Sequence, residues 1–298
     1  MSLAEGLTPD QVDFFEKNGC LVIPGELSKE QVSALLSRGH KLLEEFPMEN
    51  HPKTKFTTGE NVGDESAEHV GDDYFLGSSD KIRFFFEEDA FDKEGNLTRD
   101  KSAAVNKVGH ALHELDPVFS SVSVTARNKA IADTLGFKEP KILQSMLICK
   151  QPEIGGEVPT HQDGTFLYTE PQSAVGFWYA LEDCTIENGA LEYIPGSHKT
   201  CPVYKRFVRK ADGSGTEFLR LENVPEYQEP TGDKFVRLTC PAGSLVLIHN
   251  SVLHRSNKNT SSKSRYAYTF HAIDGACNYD CLNWLQVPPT GGDNFTKL

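Results

Sequence analysis

The chain has 298 residues, 43 acidic side chains against 30 basic ones, and a formal net charge of −13. That length suits one large domain or two small ones, and an apolar fraction of 38% with 18 Phe and 9 Tyr can fill a sizeable core. The negative balance disfavours non-specific attraction to nucleic acid or anionic lipid, and no run approaches the ~20 apolar residues of a membrane span.

The N-terminus, Met1-Ser2-Leu3-Ala4-Glu5-Gly6, has neither the basic nor the apolar region of a secretory signal. Thr8-Pro9-Asp10-Gln11 opens the first predicted helix, with Thr8 as N-cap and Pro9 in the first turn. Gly19 ends it, and Cys20–Ile23 reads as a short strand before Pro24-Gly25. Ser28-Lys29-Glu30-Gln31 starts a second helix, with Val32, Leu35, Leu36, Leu42 and Leu43 at helical spacing. Residues 48–72 are polar and aperiodic and read as a loop. Lys81–Phe86 is a strand candidate, and 102–136, including Asn106–His113, reads as a broken helical region. From about 140 the chain turns to short β-rich runs: Ile142–Cys149, Ala174–Leu181, Ala190–Ile194, Ser244–Ile248 and Arg265–Ala272. That spacing suits a sandwich or jelly roll, interrupted by a polar insertion at 199–239. No repeat, low-complexity tract or interdomain linker stands out. The reading is therefore one domain over 1–298, helical to about 138 and β-rich from about 139.

The seven cysteines are irregularly spaced with no Cys-X-X-Cys, which fits reduced thiols in a cytoplasmic protein. The terminal Thr296-Lys297-Leu298 approaches the Ser-Lys-Leu peroxisomal address but differs at its first position. An ordinary exposed tail is the plainer alternative.

His161-Gln162-Asp163 places an imidazole and a carboxylate at i and i+2, on one face of an extended strand. Most isolated His-X-Asp triplets are incidental, so the distal half of the chain decides. His249 and His254 both compete for the second imidazole, and five positions apart they face opposite ways on a regular strand. His254 is preferred because His254-Arg255-Ser256 leads through Asn257–Ser264 into a strand beginning at Arg265; His249 reads as a core or rim histidine. Two imidazoles and one carboxylate form a facial triad that binds Fe(II) and leaves positions open. Arg265, Ala267 and Thr269 share one strand face, and Tyr266, Tyr268 and Phe270 the other. An inward Arg265 can grip a carboxylate through two parallel hydrogen bonds. Metal and clamp together point to a 2-oxoglutarate-dependent oxygenase.

The chain also resembles the phytanoyl-CoA dioxygenase family. The stretches that carry this include Tyr74-Phe75-Leu76, Asp80–Glu87, Lys107–His113, Gln144-Ser145-Met146, Gly155–Val158, His161-Gln162-Asp163, Phe166–Pro171, Glu187-Asn188-Gly189, Ile194–His198 and Tyr268–His271. The resemblance implies a mainly β fold with flanking helices around a double-stranded β-helix, the cupin-like jelly roll. It implies Fe(II) on His161, Asp163 and His254, with 2-oxoglutarate and O₂ as cosubstrates. It places Ser256 beside Arg265 at the distal carboxylate of the cosubstrate, and Lys107, Met146 and Trp178 around it. Without the family, Lys107 would read as an exposed helical lysine and Trp178 and Met146 as packing. The implied reaction is hydroxylation of a small or lipid-like substrate, an acyl-CoA among the candidates, with release of succinate and CO₂. The carboxylate at 163 disfavours halogenation, since related halogenases lose that ligand.

A sensor that binds iron and 2-oxoglutarate with little turnover is the alternative. A cupin-like isomerase or storage protein would use a His-X-His cluster with Glu, which is not found. Arg83–Phe86 and Tyr168 are candidate cavity residues, with packing favoured for two of the three Phe. The basic run Lys205–Lys210 reads as a solvated loop ahead of a phosphate contact.

Overall fold

The computed structural model describes residues 5–56, 72–228, 234–286 and 295–298. The predicted loop at 48–72 falls largely on residues 57–71, outside the described residues. The architecture is a jelly roll: two antiparallel sheets face each other, and helices cover the outside of the larger one.

The larger sheet runs in the order Cys20–Ile23, Leu245–His249, Val175–Ala180, Arg265–Asp274, Pro140–Lys150, Val105–His110, Ile82–Phe86, with Thr296–Lys297 pairing beside Pro140–Lys150. The smaller sheet runs Val236–Leu238, Leu191–Tyr193, His254–Ser256, Val158–His161. Every paired strand here is antiparallel, as folding back through jelly-roll connections requires.

The first two helices form where their caps dictate. Thr8 and Ser28 each accept from the backbone N–H three residues on, and Gln11 and Gln31 reach back to the cap backbone. Gly19, at φ 83°, stops the first helix and turns the chain into Cys20–Ile23. Phe15, Leu35 and Leu43 then pack on one face of the large sheet with Leu112, Phe119 and Ile131. From the sheet side come Leu147, Phe177, Tyr179, Leu247, Tyr266, Tyr268 and Phe270. Burying so many large side chains stabilises the sandwich, each by about 1.5–3 kcal/mol relative to exposure. Within this core the Tyr268 hydroxyl donates to Ser123 Oγ at 2.6 Å, and Ser123 in turn donates to the Phe119 carbonyl.

The inner face of the large sheet is different. Trp178, Ala180, Val246 and Ala267 meet Leu191 and Tyr193 of the small sheet in a separate cluster. Polar side chains share that interior: Lys107, Gln144, Lys150, Arg265 and His271 are all buried.

Two expectations need correction. Residues 105–110 are a strand of the large sheet, one in from its edge, rather than part of a helix. Asn106, Lys107 and His110 mimic a solvated helix in sequence because they are polar, yet Lys107 and His110 are buried and Asn106 and His110 bond to Glu87 and Ser78, so burial does not announce itself by hydropathy. Three strands of the large sheet thus come from before residue 138, and the helix-first, strand-second division is only partial. The basic run is also not a loop. Lys205–Arg209 pairs with Thr216–Arg220 as a hairpin. Arg206 binds Asp280 and Asn283, and Arg209 binds the carbonyls of Trp284 and Leu76. The tail Thr296–Lys297 is paired in the sheet, and Leu298 packs against the core.

Candidate metal centre

Val158–His161 and His254–Ser256 are neighbouring strands of the small sheet, and His161 and His254 are Cα partners across them. That pairing sets the two rings side by side, tilted by 49°, at 4.2 Å between centroids. The strand ends at His161, so Asp163 is not on it. It opens a short helical turn, Asp163–Phe166, whose bend returns the carboxylate to the same side. The i, i+2 spacing therefore serves through a strand end and a turn, not through the strand alone. Gly164 N donates to the Asn250 carbonyl at 2.8 Å and ties this turn to the loop that precedes His254.

Donor atoms of His161, Asp163 and His254 all lie within 4.8 Å of one another. Asp163 Oδ1 is 3.6 Å from Nε2 of each histidine. Both rings are oriented from behind: Nδ1 of His161 contacts the Pro159 carbonyl at 2.9 Å, and Nδ1 of His254 the Val252 carbonyl at 3.0 Å. A carbonyl only accepts, so Nδ1 carries the proton and each Nε2 presents a lone pair to the shared centre. Burial and then the nearby His161 pull His254 down to about 4, which keeps it neutral and able to ligate. Burial alone would raise the Asp163 carboxyl. The neighbouring imidazoles of His254 and His271, the latter within hydrogen-bond reach, outweigh that and hold it well below the usual carboxylate range. A neutral imidazole pair with an ionised carboxylate is the donor set of a facial Fe(II) site.

His249 stands apart. It ends strand Leu245–His249, its ring lies 4.7 Å from His198, and its Nδ1 accepts from Ser251 N.

Arg265 comes from the strand that runs down the middle of the large sheet, on the face that looks into the barrel. It is only 1% exposed. Its Nη2 donates to Ser256 Oγ at 3.2 Å, while Nε and Nη1 are buried with no partner among the described residues. Ser256 itself donates to the Gly189 carbonyl at 2.8 Å. Leaving two guanidinium donors unmatched inside a barrel is costly unless an anion completes them. The Trp178 ring lies 5.2 Å from the guanidinium carbon. Trp178 and Met146 both flank Thr269 as its Cα partners on the two adjacent strands.

Lys107 is buried on Val105–His110, with Nζ 3.5 Å from the Phe56 ring centre. Desolvation first, eased by Glu87 and reinforced by Arg265, pulls its ammonium down to about 7. The sequence default of an exposed helical lysine is thus overturned. Ser256 lies two residues beyond His254 on one strand, about 7 Å along it. That interval matches the length of a five-carbon dicarboxylate reaching from the metal side to Arg265.

Three residues of the centre escape sequence reasoning. His271 Nε2 lies 3.2 Å from Asp163 Oδ2, Gln144 Nε2 lies 3.2 Å from His271 Nδ1, and Gly176 is the Cα partner of His271 on the next strand. The available signal was a polar side chain at an inward position in each of two apolar strands, opposite a glycine.

At the mouth, Phe166 ends the turn that Asp163 begins. Its ring is 6.1 Å from His161, 5.6 Å from Phe207 and 6.1 Å from Phe218. Phe84, Phe85 and Phe86 are all buried; Phe84 and Phe86 belong to the outer core, and Phe85 faces the other way into an aromatic cluster with Phe75 and Trp284. Tyr168 donates to Glu170 at 2.6 Å and lies under Arg206.

Residues 15–267 match the family model described as Phytanoyl-CoA dioxygenase (PhyH). A phytanoyl-CoA dioxygenase of Arabidopsis thaliana is 42% identical over 287 residues, covering 96% of each chain. The phytanoyl-CoA dioxygenase domain-containing protein 1 of Bos taurus is 44% identical over 287 residues, covering 95% of this chain and 96% of that one. Among solved structures, EctD from S. alaskensis, crystallised with 2-oxoglutarate and 5-hydroxyectoine, superposes with a TM-score of 0.59 at 18% identity, covering 94% of this chain and 80% of that one. SnoN, a non-heme alpha ketoglutarate dependent epimerase from nogalamycin biosynthesis, gives 0.61 at 14% identity, covering 97% and 92%. Likeness at that identity establishes the shared fold.

Proposed function

The chain belongs to the phytanoyl-CoA dioxygenase family, and from that membership we propose that it is an Fe(II)- and 2-oxoglutarate-dependent dioxygenase, one domain over 1–298, that hydroxylates a small or lipid-like substrate. The observation that carries this is the pairing of two features in one barrel: a three-donor metal cluster, and a buried Arg265 with two unmatched donors.

When bound, Fe(II), 2-oxoglutarate and O₂ supply the oxidising chemistry, with succinate and CO₂ as by-products. The protein supplies position and dryness. His161, Asp163 and His254 would hold the metal by Nε2, Oδ1 and Nε2. Arg265, braced by Ser256, would take the distal carboxylate of the cosubstrate, and Lys107 would add a second positive charge. Trp178 and Met146 would wall the same space. The interior they share is buried, so charge–charge contacts there are weakly screened.

For the substrate, the layer of Phe166, Phe207 and Phe218 beside His161 supports an apolar reacting portion. An acyl-CoA phosphate contact at the basic run gains no support, because Arg206 and Arg209 are committed to partners within the protein. Among the described residues no helix is long and apolar enough to cross a membrane.

The test is an anaerobic Fe(II) titration followed by 2-oxoglutarate. The expected result is a visible charge-transfer band, then succinate in proportion to a metabolite gaining one oxygen atom in an untargeted extract screen. A band with succinate limited to a single turnover in every extract would favour the sensor instead.

A further inference from the structure

The two oxygens of Asp163 have different surroundings. Oδ1 is 3.6 Å from Nε2 of both His161 and His254, on the side where an ion would be shared. Oδ2 is 3.2 Å from Nε2 of His271. The other nitrogen of His271, Nδ1, lies 3.2 Å from the side-chain nitrogen of Gln144. An amide N–H only donates, so Nδ1 accepts. That tautomer carries its proton on Nε2 and donates it to Oδ2. Gln144 and His271 are Cα partners on adjacent strands, and both are buried. On the other side stands Gly176, where a Cβ would come within 3.3 Å of His271 Nε2 and 3.4 Å of Asp163 Oδ2. A Cβ here would press on His271 by a few tenths of an ångström, and glycine avoids that pressure.

We propose that Gln144 and His271 are positioning residues that restrict Asp163 to metal ligation through Oδ1 alone. The proposal rests on the facial-triad reading above. A free carboxylate can chelate a metal through both oxygens, and doing so would fill a position that the cosubstrate or O₂ requires. A hydrogen bond donated to Oδ2 occupies the lone pair that chelation would use and fixes the plane of the carboxylate. Gln144 selects the tautomer that makes this donation, so the two act in series. His271 and Gln144 need touch neither metal nor substrate to do this.

The experiment uses three variants of the full chain: His271→Leu removes the donor at similar volume, His271→Gln returns an N–H at similar reach, and Gln144→Leu removes tautomer selection. The measurements are anaerobic Fe(II) affinity, the 2-oxoglutarate charge-transfer band, and thermal unfolding. His271→Leu is expected to weaken Fe(II) about 10- to 100-fold and to diminish or shift the band. His271→Gln should recover most of both, and Gln144→Leu should fall between, at near-parental melting temperature. A folded His271→Leu protein that binds Fe(II) within about twofold of the parent with an unchanged band overturns the proposal. So does His271→Gln as impaired as His271→Leu. If His271→Leu fails to fold, a folded Gln144→Leu with parental affinity and band overturns it equally. A parent chain that gives no band rejects the iron reading and this inference together, whereas a parental band with unaffected variants rejects this inference alone.

Discussion

Arg265→Leu separates the cost of the barrel interior from its use. In the structure the guanidinium is buried, keeps one hydrogen bond, to Ser256, and leaves Nε and Nη1 unmatched. Burial lowers the pKa of the group, which is the electrostatic statement that the cation is uncomfortable there. Removing it deletes an uncompensated buried charge, so stability should hold or rise: replacing buried ions by apolar side chains is often neutral or stabilising by about 1–4 kcal/mol. Cosubstrate binding should move the opposite way. Two charge-assisted hydrogen bonds at about 1.5–3 kcal/mol each amount to roughly 3–6 kcal/mol. At about 1.4 kcal/mol per tenfold, the dissociation constant for 2-oxoglutarate should rise at least about 100-fold. The assays are titration of the Fe(II)–2-oxoglutarate band and thermal unfolding of the ligand-free protein. Cosubstrate affinity within about threefold of the parent would refute the assignment of Arg265. A fall in melting temperature of more than about 5 °C would refute the claim that the cation is a liability without the cosubstrate.

The remaining expectations concern neighbouring groups. Lys107 sits near 7 in the free protein because burial opposes its charge. It is therefore protonated below that pH, and above it binding of a dianion must first take up a proton. Affinity for 2-oxoglutarate should weaken by up to about tenfold per pH unit above 7, and Lys107→Met should flatten the profile; a flat profile in the parent would count against a role for Lys107 there. Gly176→Ala should lower Fe(II) affinity several-fold, roughly, while leaving the fold intact, since its Cβ would press on His271 and touch Asp163 and Ile248 at ordinary contact distance; circular dichroism and metal titration together check this. Tyr268→Phe removes a buried donation to Ser123, which remains satisfied by the Phe119 carbonyl. Urea unfolding should show a loss of about 1 kcal/mol with cosubstrate affinity unchanged, because the phenol faces the outer core.

Much of this was legible in the residues. His161 and Asp163 declared themselves by spacing, and His254 by leading into Arg265. The alternation Arg265-Tyr266-Ala267-Tyr268-Thr269-Phe270 displayed both faces of the central strand. Less visible was anything that depends on the barrel interior being polar. Lys107 lies on a buried strand, yet Asn106-Lys107-Val108-Gly109-His110 carries no hydrophobic period that would say so. Gln144 and His271 look incidental one at a time and acquire meaning only as cross-strand partners. Arg206 and Arg209 read as solvated charge because their partners Asp280, Asn283 and Trp284 lie more than 70 residues away.

The central strand Arg265–Asp274 gives one face to the oily core and the other to the chemistry, as far as the bulge between His271 and Ala272. Its frame is thereby guarded twice. A slip of one position would thrust Tyr266, Tyr268 and Phe270 into the catalytic chamber and drive a guanidinium and an imidazole into hydrocarbon. A slip of two would restore the faces but carry Arg265 about 7 Å away from Ser256. Point changes along this segment can be absorbed gradually, whereas a one-codon insertion or deletion should abolish folding and activity in the same stroke.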